Sequence, residues 1–60
     1  MQKNKIYTIQ PISVEIEGII FYQDEKIKVL EVKVDKTKLL RINTSEILEM
    51  PTIAIKTIIE

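Results

Sequence analysis

Apolar and polar residues alternate with a period of two over most of this chain, and that period predicts strands. In residues 5–10, Ile6 and Thr8 fall on one side and Tyr7 and Ile9 on the other. Pro11, which cannot donate to a ladder, ends the run. Residues 13–22 begin with Val14 and Ile16 opposite Glu15 and Glu17. Beyond Gly18, Ile20 and Tyr22 continue the apolar side, while Ile19 and Phe21 make the other side apolar as well. A glycine where one-sided burial becomes two-sided burial predicts a single, strongly bent strand.

In residues 27–34, Ile27 and Val29 share one parity, whereas Leu30, Val32 and Val34 share the other. One extra residue near Val29 and Leu30, a β-bulge, returns all five to one face and puts Leu30 in the core. Pairing this segment with residues 13–22 sets Tyr22 opposite Ile27 and Ile20 opposite Val29. Beyond the bulge, Gly18 meets Val32 and Ile16 meets Val34, leaving Glu17 across from Lys33 as a favourable charge pair. Without the bulge the two apolar faces disagree.

A polar turn at 35–38 leads to a fourth strand over 39–43, with Val34 beside Leu40 and Val32 beside Ile42. Ser45 suits a helix cap, Glu46 suits a first turn, and Pro51 disfavours helical geometry at Met50. One helical or 3₁₀ turn is therefore expected near residues 45–50. Residues 52–59 read as a fifth strand covered on both faces, with a second short helix as the alternative.

The expected fold class is thus all-β, a five-stranded small barrel or bent meander formed as one domain over residues 1–60. The order of bent strand, bulged hairpin, strand, single turn and strand resembles the SH3-like small barrels. That resemblance is architectural, spans most of the chain and rests on no diagnostic motif, so it carries no function with it.

Composition narrows the chemistry. Sixty residues build a thin core, and small folds commonly add disulfides, a metal or association between chains. Cysteine and histidine are both absent, which removes disulfides and the usual nitrogen and sulfur metal ligands and leaves association. No metal or cofactor is expected. Ser13 and Ser45 have no evident base near them in sequence, and the lone Gly18 forms no phosphate-cradling loop. Glu15 with Glu17 and Asp24 with Glu25 are paired carboxylates, read as a solvated strand face and a polar turn. No enzyme is expected.

Nine basic and nine acidic residues balance to zero net charge. Acidic residues interleave with Lys26, Lys28, Lys33, Lys36 and Lys38, so a nucleic-acid surface ranks below a solvated charged face. The longest wholly apolar run is residues 19–22, far short of a membrane span, and no apolar stretch of signal-peptide length follows Lys3 and Lys5. A cytoplasmic location is expected.

The surplus of apolar residues on second faces, including Ile19, Phe21, Ile53, Ile55, Ile58 and Ile59, calls for barrel closure, a symmetric partner or a target. The leading expectation is a non-catalytic protein-binding module that homo-oligomerises and occupies a host or target protein's surface. A short chain from Met1 with lysine and isoleucine in excess fits an inhibitor encoded by a phage or mobile element. The candidate contact residues are Tyr7, Phe21, Tyr22, Arg41, Ile53, Ile55 and Ile58. A nucleic-acid-binding regulator of SH3-like type comes second, and an oligomeric sponge for a nucleotide-like ligand third.

Overall fold

The computed structural model describes residues 1–59. Its elements run β1 (Ile6–Thr8), β2 (Ser13–Ile16), β3 (Ile19–Tyr22), β4 (Lys26–Val32), β5 (Lys36–Arg41), β6 (Glu46–Pro51) and α1 (Thr52–Ile58). The mainly β character is as expected, but the described residues form six strands in two sheets and no closed barrel. One antiparallel sheet has the order β1-β4-β5-β6, and β2 and β3 form a separate hairpin.

The bent strand expected over residues 13–22 is this hairpin. Glu17 and Gly18 have φ of 51° and 83°, so a two-residue turn with both dihedrals positive reverses the chain and pairs Ile16 with Ile19. What looked like a change from one-sided to two-sided burial is a reversal of direction. Val14, Ile16, Ile19 and Phe21 share the inner side, while Ser13, Glu15, Ile20 and Tyr22 share the outer. Residues 13–22 therefore do not pair with β4. Tyr7, not Tyr22, stands opposite Ile27.

The bulge does lie where the parity break put it, because the β4–β5 register shifts between Val29 and Glu31. Its partner strand differs, and so does the register: Val32 pairs with Thr37, not Ile42. The turn is tighter than expected, with the Lys33 N–H donating to the Lys36 carbonyl at 2.9 Å, so β5 starts at Lys36. Val34 is left fully exposed at the tip and Leu30 only half-buried at the bulge.

Helix and strand are exchanged at the C-terminal end. Residues 46–51 form β6 instead of a helical turn, since Ser45 takes φ 61° and closes the loop, its N–H donating to the Arg41 carbonyl at 2.7 Å. Residues 52–58 form α1, the alternative to a fifth strand. Thr52, Ile55 and Ile58 recur at three-residue spacing on the buried side, and Ile53, Lys56 and Thr57 face solvent. Five of the seven residues are β-branched, so the helix depends on packing against β5 and β6 rather than on propensity.

Both ends of α1 are tied down. At its start the Thr52 N–H donates to the Asp35 carbonyl at 3.0 Å, using one of the donors that a helix N-terminus leaves unpaired. At its end the Gln10 N–H takes the Ile58 carbonyl at 2.8 Å, and Ile59 forms an antiparallel bridge with Ile9. The last residues thus run beside β1, at the sheet edge opposite β6.

Phe21, Ile9, Ile27, Leu39, Ile55 and Val29 are fully buried between the sheet, the hairpin and α1. A pair of hydroxyls, Thr37 and Thr52, enters this core. The Thr52 hydroxyl donates to the Lys33 carbonyl at 2.7 Å, so its contact with the fully buried Thr37 hydroxyl at 2.9 Å must have Thr37 as donor.

That relay fixes an order of effects. Thr52→Val leaves both the Thr37 hydroxyl and the Lys33 carbonyl without a partner and costs about 1–3 kcal/mol. Thr37→Val strands only an acceptor that still donates elsewhere, and costs less. Urea denaturation of both variants checks the order, and equal losses would refute the relay. At the hairpin, Gly18→Ala costs about 1–2 kcal/mol for the left-handed backbone alone, since nothing lies within 4 Å of the added methyl. Glu17→Asn, which suits positive φ, raises the denaturation midpoint.

Candidate functional site

The residues expected to form a contact surface do not lie together. Phe21 and Ile55 are fully buried, and Tyr7 and Ile58 are nearly so. The Tyr7 hydroxyl accepts the Gln2 N–H at 2.7 Å, and the Lys5 ammonium sits 5.2 Å from its ring centre. Only Tyr22 and Ile53 present large apolar surface to solvent, 56% and 76% exposed. They lie on different elements, the hairpin and the solvent side of α1.

Arg41 joins the two sheets. Alternation along β5 sends its side chain to the inner face, in the row Tyr7–Ile27–Arg41–Glu46. Its Nε donates to Glu25 Oε2 at 2.6 Å and its Nη2 to Glu25 Oε1 at 3.0 Å, a two-pronged pair. Nη2 also donates to the Ile20 carbonyl at 3.0 Å, and Nη1 reaches Glu46 Oε1 at 3.4 Å. The guanidinium carbon lies 4.9 Å from the Phe21 ring centre, within cation–π range. Glu25 is held in turn by the Tyr22 N–H, which donates to its Oε1 at 3.2 Å. The hydrogen bond to Glu25 raises the already high pKa of Arg41, outweighing desolvation, which lowers it. The cation is therefore permanent, and nearly all of its donors are occupied within the protein.

An open cleft of about 320 Å³ lies beside this pair, lined by Tyr22, Asp24, Glu25, Arg41, Asn43 and Thr44. Two carboxylates and a saturated guanidinium make it a poor receptor for an anion such as a phosphate. Among the described residues no cluster of three His, Cys, Asp or Glu side chains could hold a metal ion, and no helix is long and apolar enough to cross a membrane.

The outer face of the four-stranded sheet is an ordered surface that spans all four strands. Ile6, Lys28, Leu40 and Ile47 stand directly opposite one another in a single row across all four strands. Beside it run Thr8, Lys26 and Ile42, the Ile42 N–H donating to the Lys26 carbonyl at 3.2 Å. Ile6 is 53% and Ile47 57% exposed, and Leu40 and Ile42 are partly exposed. Among the described residues no element packs over this face, because the hairpin and α1 both lie on the other side. The free edge strand β6 carries Glu46, Glu49 and Pro51, the kinds of residue that discourage edge-to-edge pairing.

Sequence reasoning did not single out this row. A signal was present: Leu39-Leu40 and Ile47-Leu48 are adjacent apolar pairs within strands, and adjacent residues point to opposite faces. One member of each pair had to face outward. Reading residues 45–50 as a helical turn concealed the second pair.

Comparison with protein-family models, with curated proteins and with solved structures finds no match to this chain.

The Arg41 contacts generate a stability prediction. Arg41→Ala leaves the Glu25 carboxylate, 5% exposed, without its cation and costs about 3–5 kcal/mol, enough to unfold most of a domain this small. Replacing both members by apolar residues, as in Arg41→Met with Glu25→Leu, recovers most of that loss. Thermal unfolding by circular dichroism checks both. A single Arg41→Ala change costing under about 1 kcal/mol would show that the pair does not join the sheets.

Proposed function

We propose that this protein is a non-catalytic protein-binding module that works through the outer face of its four-stranded sheet. The observation that carries the reading is the row Ile6–Lys28–Leu40–Ile47, in which partly exposed isoleucines and a leucine flank one lysine on an ordered, uncovered sheet. Clustered apolar surface of this kind on a small domain marks a contact site, and a rigid sheet presents it at little entropic cost on binding. Such a module acts by occupying a partner's surface and excluding whatever else binds there. The excess of lysine and isoleucine supports a phage or mobile-element origin for such a module.

Strand order supports the finer reading of an SH3-like topology. The bridge of Ile59 to Ile9 beside β1 gives the sequence Ile59–β1–β4–β5–β6, with the β2–β3 hairpin inserted after β1 and a helix before the last bridge. The nucleic-acid reading has less support. Tyr7 and Phe21 are buried and Tyr22 lies on the hairpin, so the face that carries Lys26 and Lys28 offers no aromatic ring for a base to stack on.

The double variant Ile6→Ser, Ile47→Ser tests the assignment. Both side chains are more than half exposed, so stability should change by less than about 1 kcal/mol. A protein retained by the immobilised wild-type chain should be lost. Retention unchanged by the double variant would remove this face from the function. Salt-sensitive binding of mixed oligonucleotides, abolished by Lys28→Glu, would move the assignment to nucleic acid.

A further inference from the structure

The zero net charge hides a division of the chain. Residues 11–25 contain Glu15, Glu17, Asp24 and Glu25 and no lysine or arginine, so all nine basic residues lie elsewhere. Three of those four carboxylates, Glu15, Glu17 and Asp24, have no cation within ion-pairing distance among the described residues; Glu25 is taken by Arg41. Glu15 stands directly opposite Ile20 on the outer side of the β2–β3 hairpin, next to the Ser13–Tyr22 pair. That side therefore shows two apolar groups, Ile20 at 45% and Tyr22 at 56% exposure, edged by carboxylates.

The outer face of the sheet is its counterpart. Lys38 is flanked in its row by Glu31 and Glu49, which compensate it. Lys26 and Lys28 have no carboxylate opposite them: their neighbours are Thr8, Ile6 and Leu40. The Lys26 ammonium donates instead to the Thr8 hydroxyl at 2.6 Å, and neither lysine forms an ion pair among the described residues. The hairpin packs on the inner side of the sheet, so the two patches point away from each other on opposite sides of a two-layer molecule.

We propose that the sheet face binds the hairpin face of a second copy of this chain, head to tail. Ile20 and Tyr22 of one copy lie on the Ile6–Leu40–Ile47 row of the next, and Glu15 and Glu17 reach Lys26 and Lys28. A second copy meets three requirements at once: apolar area against apolar area, uncompensated carboxylates against uncompensated ammonium groups, and a fixed one-to-one supply of both. Face-to-face pairing of two sheet faces would instead leave the hairpin carboxylates Glu15 and Glu17 without a cation, which favours the heterologous contact over the symmetric dimer. The smallest stable interfaces bury about 600 Å² per partner. That is roughly 15% of the 3895 Å² total surface (600/3895), within the reach of one face. Because the patches differ and face opposite ways, the contact is heterologous and repeats into a ring or an open chain.

This inference rests on the protein-contact reading of the sheet face and is separable from it. Sedimentation velocity of the wild-type chain should show mass rising with concentration, and falling again near 1 M salt, where the screening length is about 3 Å. Lys28→Glu alone and Glu15→Lys alone should each weaken association on the order of a hundred-fold, with unchanged circular dichroism. Mixing these two variants should restore it, because the hairpin of each then opposes a sheet face of opposite sign on the other. A wild-type chain that stays monomeric to about millimolar concentration, or a mixture no better associated than its components, would overturn the proposal. Loss of a captured partner in Ile6→Ser, Ile47→Ser under those same conditions would leave the contact reading intact.

Discussion

The Arg41 guanidinium is the joint on which this structure depends. A sheet of four strands and a separate hairpin share a core of few large side chains, and apolar contact alone fixes no unique way to stack them. One fork of N–H donors fixes the orientation by reaching Glu25, the Ile20 carbonyl and Glu46 while lying over the Phe21 ring. Those partners come from the hairpin, the turn that follows it and the far edge strand. Directional bonds of this kind position layers more narrowly than hydrophobic burial, and a half-satisfied version would be worse than none. Occupying Arg41 internally also has a functional consequence: the residue best suited to an interface is spent on the fold.

A second set of polar contacts sets the C-terminal end. The Thr37–Thr52 hydroxyl pair and the Lys33 carbonyl dock the start of α1 on the β4–β5 turn, and Gln10 takes the carbonyl at its other end. The helix thereby spans from one sheet edge towards the other and carries Ile55 and Ile58 into the core. With both the hairpin and the helix committed to the inner side, no element among the described residues covers the outer side. Its mixture of isoleucine, leucine and lysine keeps that face partly wet and partly apolar.

Much of the local structure could be read from residue order. Alternation located the segments that form β1 to β5 but not β6, Pro11 followed the end of β1, and the parity break at Val29 and Leu30 located the bulge. These are properties of neighbouring residues and need no knowledge of what lies across the fold. Parity failed at Gly18 because a bend and a two-residue reversal leave the same trace in alternation; the positive φ at both Glu17 and Gly18 distinguishes them. The candidate contact residues were chosen by type, as aromatics and arginine, and type does not say which side of a strand faces the core. Phe21 and Ile55 are buried for that reason, while Ile6, Leu40 and Ile47 were passed over.

The sequence by itself determined a mainly β chain without thiol or imidazole chemistry, with a bulge in its longest strand and more apolar side chains than one core can hold. Tertiary structure decided which strands pair, that residues 46–51 extend while residues 52–58 coil, and which apolar residues remain outside. The division has a physical cause. Periodicity and turn chemistry are encoded within a few residues, whereas the choice between helix and strand for a β-branched segment such as 52–58 is settled by what it packs against. The same holds for the sheet face: its residues are scattered over β1, β4, β5 and β6, and only the register of those strands assembles them into a row.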